Sequence, residues 1–163
     1  MIFFTVGNEY RNFQRMTNLV TEISLEFPKE EIFYQNGHSL LNHKFSKNVT
    51  SQRFLPREQF ERLITNSRLV ITHAGAGTLL KCFEQNICPL VLPRRLELNE
   101  HLNNHQLDIL NEFCKQNLCI NIDKLNLQEI IFIMNKRSQK KPDKIRFNEL
   151  LLKKLKESVN RNI

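Results

Sequence analysis

Short apolar runs and stretches of helical spacing follow one another along the first 135 residues of the chain. The short runs have the length and composition of buried strands and end at polar or small-residue turns; they cover residues 1–6, 31–35, 49–54, 68–72, 88–92 and 118–122. Between them, apolar residues recur every three to four positions, which predicts helices. These cover residues 13–27, a segment beginning at Pro56, and residues 78–85, 103–116 and 126–135.

Strands that alternate with helices through short connections predict a parallel sheet, because a parallel pair needs a crossover between its strands. The unit over residues 68–92 shows this most clearly, with a strand, a small-residue turn, a helix and a second strand in close succession. The fold class predicted is therefore α/β, with a doubly wound, mostly parallel, Rossmann-like sheet.

The net charge of +7 is unevenly distributed. Basic and acidic residues are equal in number over residues 1–135, and the whole excess lies in residues 136–163. We therefore divide the chain into a Rossmann-like domain, 1–135, and a basic amphipathic C-terminal helix or tail, 136–163, whose apolar positions are Ile145, Leu151, Leu152, Leu155 and Val159. The neutral main body argues against nucleic-acid binding. The tail has two interpretations, docking on a partner or on anionic lipid, and packing on the domain itself.

Composition points to a cytoplasmic protein. No stretch approaches the roughly 18 apolar residues that span a bilayer, and the start, MIFFT, lacks the basic segment of a signal peptide and is predicted as a strand. The four cysteines lack metal-ligand spacing and are predicted as buried free thiols in a reducing compartment; they are Cys82, Cys88, Cys114 and Cys119. No metal site is expected.

Candidate chemistry lies in three loops that follow predicted strands, at residues 5–8, 35–39 and 73–78. The third, His73-Ala74-Gly75-Ala76-Gly77-Thr78, holds two of the four glycines in the protein. Glycines let backbone approach a ligand, and the helix that begins near Gly77 presents unpaired N–H groups that suit a phosphate or diphosphate. The alternative is a tight turn without a ligand. The spacing matches neither the dinucleotide fingerprint nor the P-loop.

A polar loop over residues 93–106 carries two arginines, two histidines, two acids and several amides. Amides and carboxylates provide the paired donors and acceptors that vicinal hydroxyls need, which suggests a sugar- or ribose-contacting edge. The alternative interpretation is a solvated loop.

Four segments occur together in one order: MIFFTVGN, QNGHS, LVITHAGAGTLL and PRRLELNEHLNNHQLDI. In this combination the chain, over about residues 1–120, resembles the family 28 glycosyltransferase C-terminal domain. More narrowly, it is similar to the stand-alone form found in bacterial exopolysaccharide and capsule clusters, whose eukaryotic relative is the cytosolic subunit of the dolichol-linked GlcNAc transferase.

The resemblance implies one half of a two-domain GT-B enzyme, which binds a UDP-sugar as substrate and needs no cofactor. A membrane-anchored acceptor-binding subunit would supply the other half and a lipid-linked sugar acceptor, holding this chain at the inner face of the plasma membrane. The implied donor-binding residues are the glycine-loop residues His73, Gly75, Ala76, Gly77 and Thr78, the cleft residues Gly7, Asn8, Gly37 and His38, and the polar-loop residues Arg94, His105 and Gln106. Phe54 and Leu55 would lie near the uracil.

One position departs from the family pattern. Relatives place a carboxylate three residues beyond the Thr or Ser of the glycine loop, where this chain has Lys81. Lysine cannot accept a hydrogen bond from ribose hydroxyls. Two functions therefore stay open: a donor-binding subunit of an inverting glycosyltransferase, whose general base is expected on the partner, and a non-catalytic stabilising or regulatory partner of such an enzyme.

Overall fold

The computed structural model describes residues 1–41 and 44–138. Its elements, in chain order, are β1 (Ile2–Thr5), α1 (Gln14–Glu26), β2 (Ile32–Gln35), β3 (Val49–Gln52), α2 (Arg57–Asn66), β4 (Leu69–Thr72), α3 (Ala76–Glu84), β5 (Leu90–Val91), a 3-10 turn (Leu96–Leu98), α4 (His105–Lys115), β6 (Ile120–Asn121) and α5 (Leu127–Ser138). Helix α5 continues past position 135. The predicted basic tail beyond Ser138 lies outside the described residues.

Over the described residues, the strands form one parallel sheet in the order β3-β2-β1-β4-β5-β6. The chain therefore winds outward from β1 to β3, returns, and winds outward on the other side from β4 to β6. This confirms the predicted doubly wound α/β fold. The winding direction reverses between β1 and β4, and a crevice opens at the carboxyl ends of strands at such a point.

Helices cover both faces of the sheet. Successive side chains of a strand point to opposite faces, so each strand contributes residues to both layers. On β1, Ile2 and Phe4 join the core cluster that includes apolar residues of α1 and α5. Phe3 faces the other way and joins apolar residues of α2, α3 and α4. Burial on both faces explains why β1 is a continuous apolar run without alternating polar positions.

The outer strands are shorter than the sequence predicts. Strands β5 and β6 pair over only two residues each, and the 3-10 turn Leu96–Leu98 inside the polar loop was not predicted. An unbroken apolar run does not reveal how many of its residues a neighbouring strand pairs with, because pairing depends on the neighbour's length and register.

The prediction of four buried thiols is correct for two. Cys82 and Cys119 are buried, whereas Cys88 and Cys114 are partly exposed, and none of these four described residues forms a disulfide bond. Burial raises the pKa of the Cys82 thiol to about 12. Apolar neighbours in sequence do not guarantee burial, because Cys88 lies at the turn before β5 and Cys114 near the end of α4. Within the described residues, no helix has the length and apolar character needed to cross a membrane.

Candidate functional site

A pocket of about 460 Å³ opens at the carboxyl edge of the sheet, where β1 and β4 are neighbours. Its walls come from the end of β2 and from the segments that follow β1, β3 and β4, and they consist of Gly7, Asn8, Gln35, Leu55, Arg57, Phe60, His73, Gly75, Gly77 and Thr78. The volume lies in the range of roughly 300–1,000 Å³ that small-molecule sites occupy. Parallel strands bring these loops together because all their carboxyl ends share one edge.

One side of the pocket is the N-terminus of α3. The helix begins at Ala76, directly after Gly75, and no side chain caps its first turn. The first N–H groups of a helix have no carbonyl partner within it, and they carry the positive end of the helix dipole. This end of α3 can therefore bind an anion such as a diphosphate.

Gly77 lies in that first turn, and a Cβ built at this position meets no atom within 4 Å. The protein's own packing thus does not require glycine here, although glycine destabilises a helix by roughly 0.5–1 kcal/mol relative to alanine. The absence of a side chain keeps the open space of the pocket next to the helix backbone.

His73 is buried directly behind the glycine loop. A Cβ at Gly7 would lie 2.5 Å from the imidazole, and a Cβ at Gly75 would lie 2.1 Å from its Nε2, so only glycine fits on either side of the ring. Burial lowers the pKa of His73 to about 3, with a further contribution from the positive charge of Arg94. The imidazole is therefore neutral near pH 7, and its position between two glycines gives it a packing role in the wall of the pocket.

Gln35 joins three loop segments at the floor of the pocket. Its Oε1 accepts a hydrogen bond from the Thr5 hydroxyl, and its Nε2 donates to the carbonyls of Gly7 at 3.2 Å and Arg53 at 3.1 Å. Gln35 is the first residue of the candidate loop 35–39, but it is not among the predicted donor-binding residues. A buried amide at the end of an otherwise apolar strand was the available signal, because such a group needs partners.

The end of the segment between β3 and α2, together with the first turn of α2, forms the opposite wall. Leu55, expected near the uracil, lines the pocket, together with Arg57 and Phe60, which the sequence analysis did not place there. Phe54 lies outside the lining; it is partly exposed and packs edge-on against His38, with 5.0 Å between ring centroids. The helix start at Pro56 was predicted, but the side-chain directions in its first turns were not.

Arg94 is not among the pocket-lining residues. Its side chain is completely buried and donates to the carbonyls of Arg11 at 3.0 Å, Glu100 at 3.1 Å and Val6 at 3.2 Å. The guanidinium also lies 4.5 Å from the centre of the Phe13 ring. The structure thus differs from the expectation that Arg94 is a donor-binding residue, because its charge is directed at backbone carbonyls.

Gln106 links the glycine loop to the loop after β5. Its Oε1 accepts from the backbone N–H groups of Ala74, at 3.2 Å, and Arg94, at 3.0 Å. His105 is exposed at the start of α4, with Nδ1 3.9 Å from a carboxylate oxygen of Asp108. Neither residue lines the pocket, so their contact with a ribose or sugar stays a prediction.

The remaining predicted residues lie close to the lining. Gly37 has a left-handed φ of +54°, and a Cβ there would lie 2.8 Å from the carbonyl oxygen of Gly7, which shows how tightly the first two loops approach. His38 is exposed, with Nδ1 3.2 Å from the Arg53 guanidinium. Ala76 is the first residue of α3.

Much of the charge in the polar loop is used inside the protein. Glu100 is buried and accepts hydrogen bonds from Arg15 and from the backbone N–H of Arg95. Arg15 and Arg95 both pair with Asp123. The loop is therefore anchored to α1 and to the end of β6, which accounts for part of its charge without a sugar contact.

The sequence comparison decides the family. The model of the glycosyltransferase family 28 C-terminal domain matches residues 1–159. The chain belongs to this family.

One relative is similar to the chain in sequence, and two solved structures are similar to it in fold. The chain is 29% identical over 100 residues, 61% of its length, to the UDP-N-acetylglucosamine transferase subunit ALG13 of Candida albicans, and it spans 29% of that protein. The fold is similar to the glycotransferase of kitacinnamycin, with a TM-score of 0.64 and 13% identity over 96% of this chain and 37% of that one. The calicheamicin glycosyltransferase CalG4 matches with a TM-score of 0.59 and 14% identity, over 85% and 34%. The chain thus spans about a third of these proteins.

Lys81, which replaces the carboxylate of the family pattern, forms an ion pair with a carboxylate on the neighbouring helix α2. Lys81 Nζ lies 3.2 Å from carboxylate oxygens of both Glu61 on α2 and Glu84 on α3. The pair with Glu61 joins the two helices that flank the pocket, and the pair with Glu84 lies within α3. Hydrogen bonds with Glu84 and Glu61 raise the pKa of Lys81, so it is charged at neutral pH.

Proposed function

We propose that this chain is the donor-binding subunit of a two-component inverting glycosyltransferase, and that it holds a UDP-sugar in the pocket at the carboxyl edge of the sheet. The observation that carries the proposal is the uncapped N-terminus of α3 facing a pocket of about 460 Å³, with open space at Gly77. The Candida albicans relative is named as a subunit of a UDP-N-acetylglucosamine transferase, which supports both the donor class and the subunit role.

In this reaction a hydroxyl of the acceptor displaces UDP from the anomeric carbon, and negative charge grows on the leaving diphosphate. Backbone N–H groups at a helix N-terminus stabilise such charge where it develops. The acceptor hydroxyl must lose a proton. His73 is unsuited to accept it, because its side chain is buried and its pKa is about 3, so it is a weak base. We therefore assign the general base to the partner.

The partner in this proposal is a membrane-anchored, acceptor-binding glycosyltransferase subunit that presents a lipid-linked sugar. This chain spans 37% of the matched kitacinnamycin enzyme and 34% of CalG4. The subunit would act at the inner face of the plasma membrane, in exopolysaccharide or capsule synthesis.

Donor binding is tested by following backbone amide signals of the purified protein during titration with UDP, with ADP as the control nucleotide. We expect UDP to shift Gly75, Gly77 and Thr78 selectively. Gly77→Asp should abolish these shifts, because it places a negative charge at the phosphate-binding end of α3. Asn18→Asp, which adds the same charge on the exposed face of α1, should bind as the unmodified protein does. Equal responses to UDP and ADP, or normal binding by Gly77→Asp, would contradict the proposal.

Lys81 favours a second candidate function, that of a non-catalytic stabilising or regulatory partner of a membrane-associated glycosyltransferase. Its ammonium occupies the position where relatives carry a carboxylate, and it cannot accept a hydrogen bond from ribose. The two candidates differ in a transfer assay with the co-expressed partner. Transfer that survives Gly77→Asp at an unchanged rate supports the non-catalytic role, and transfer lost with Gly77→Asp supports the donor-binding subunit.

A further inference from the structure

Arg57 is the one permanently charged side chain among the ten residues that line the pocket. It is the first residue of α2, and its side chain is 81% exposed. A cation in the first turn of a helix opposes the helix dipole, whose positive end lies there. Arg57 therefore occupies a position that the helix alone disfavours and that an anion in the pocket would favour.

Glu61, one turn further along α2, orients the Arg57 side chain. Arg57 Nε donates to Glu61 Oε1 at 3.0 Å. With Nε engaged, the two terminal nitrogens retain four N–H donors in a plane. A guanidinium presenting such a fork binds phosphate oxygens in pairs, which an ammonium cannot do.

Lys81 on α3 contacts the same oxygen of Glu61. Lys81 Nζ lies 3.2 Å from Glu61 Oε1, and Lys81 also pairs with Glu84 at 3.2 Å. Hydrogen bonds from Arg57 and then from Lys81 lower the pKa of Glu61, so its carboxylate is charged at neutral pH. Arg57, Glu61 and Lys81 thus form a continuous ionic chain from the pocket wall to α3.

We propose that Arg57 binds the diphosphate of the donor nucleotide, and that Lys81 acts as a positioning residue that holds Arg57 through Glu61. This inference rests on the proposed function, since it places a ligand group within the same pocket. It also gives Lys81 a role in this chain, where it replaces the family's carboxylate. Lys81 holds the carboxylate of Glu61 on the neighbouring helix, and Glu61 in turn orients Arg57 toward the phosphates.

The test compares UDP with uridine, which lacks the phosphates, by titration of amide signals. Arg57→Ala should weaken UDP binding about tenfold, the factor expected for one charge-assisted contact at an exposed site, and change uridine binding by less than about twofold. Arg57→Lys should recover only part of the loss, because an ammonium keeps the charge without the fork. Arg62→Ala is the matched control: Arg62 lies on the same helix but lines a separate cavity of about 420 Å³, and its removal should leave both affinities unchanged.

The positioning role predicts a coupled effect. Lys81→Met and Glu61→Gln should each weaken UDP binding by about twofold to fivefold in the presence of Arg57, and neither should add to the loss once Arg57 is alanine. The Nε–H signal of Arg57 supplies a direct readout, which should move on addition of UDP, stay in place with uridine, and lie at a different position in Lys81→Met. Additive losses in the double variant overturn the positioning role.

Three results would overturn the inference, and they do so at different levels. If the unmodified protein binds UDP and Gly77→Asp abolishes that binding, but Arg57→Ala binds UDP within about twofold of it, the assignment of Arg57 fails and the proposed function stands. If the unmodified protein does not distinguish UDP from ADP, the proposed function fails and this inference fails with it. A loss of UDP and uridine binding to the same extent in Arg57→Ala also overturns it, since that result assigns Arg57 to the shape of the pocket.

Discussion

Protonation of His73 should make the stability of this protein depend on pH. In the folded protein burial lowers the pKa of His73 from 6.5 to about 3. The unfolded chain has the ordinary value, so between about pH 6.5 and pH 3 the unfolded state binds more protons than the folded state. Stability therefore falls as the pH is lowered through this window and is fully retained above it.

The size of the effect follows from the two pKa values. Lowering the pH from 7.5 to 5 should reduce the free energy of unfolding by about 2 kcal/mol through His73 alone, and by about 5 kcal/mol once the pH lies below both values. The charged form is disfavoured because the ring lies between Gly7 and Gly75, with the Arg94 guanidinium nearby. A protonated imidazole there would lose its water without gaining an anionic partner.

The contribution of His73 to the free energy of unfolding can be measured by urea unfolding. The unmodified protein and His73→Gln are compared at pH 7.5 and at pH 5. The other histidines are present in both proteins, so the difference between the two pH dependences isolates His73. We expect the unmodified protein to lose about 2 kcal/mol more than the variant. A direct check is the side-chain NMR signal of His73, which should not titrate above pH 4.5. A midpoint near 6.5, or identical pH dependences, would refute the reasoning.

Three further substitutions separate packing from ligand binding. Gly75→Ala places a Cβ 2.1 Å from His73 Nε2 and should reduce the free energy of unfolding by about 1–3 kcal/mol, as measured by urea unfolding; an unchanged midpoint would show that the ring moves freely. Gly77→Ala meets no protein atom, so it should leave stability equal or raise it by about 0.5 kcal/mol, while weakening UDP binding measured by titration. Arg94→Met leaves three carbonyls without their buried donor. It should lower the free energy of unfolding by about 3 kcal/mol. A loss below about 1 kcal/mol would mean that water replaces the guanidinium.

Much of the fold could be predicted from local patterns. The run Ile2–Thr5 is apolar throughout because both its faces are buried, and helix α1 carries a stripe of apolar residues because one of its faces packs on the sheet. Strand ends and helix starts follow from local chemistry, such as Pro56 before α2. The meeting of the glycine loop with the loop after β1 also follows, since parallel strands share one carboxyl edge.

The directions and partners of individual side chains could not be predicted in this way. Arg94 and Arg95 are neighbours with the same chemistry, yet one is completely buried against the carbonyl of Val6, 88 positions away, and the other pairs with Asp123. Arg57 is three residues beyond Phe54, which was expected near the base, but Arg57 lines the pocket and Phe54 does not. Each outcome depends on atoms that only the folded chain brings near.

The sequence by itself determined the class of fold and the family, and it predicted the edge of the sheet at which we propose that a nucleotide-sugar binds. The class of fold follows from periodicity, which acts over a few neighbouring positions. The family follows from four motifs that occur in one order along the chain. Only the tertiary structure decided which charges face the pocket and which stabilise the loops behind it. Burial and charge pairing are properties of the distances between residues remote in sequence, and they made His73 neutral, directed Arg94 inward and joined Lys81 to Arg57 through Glu61.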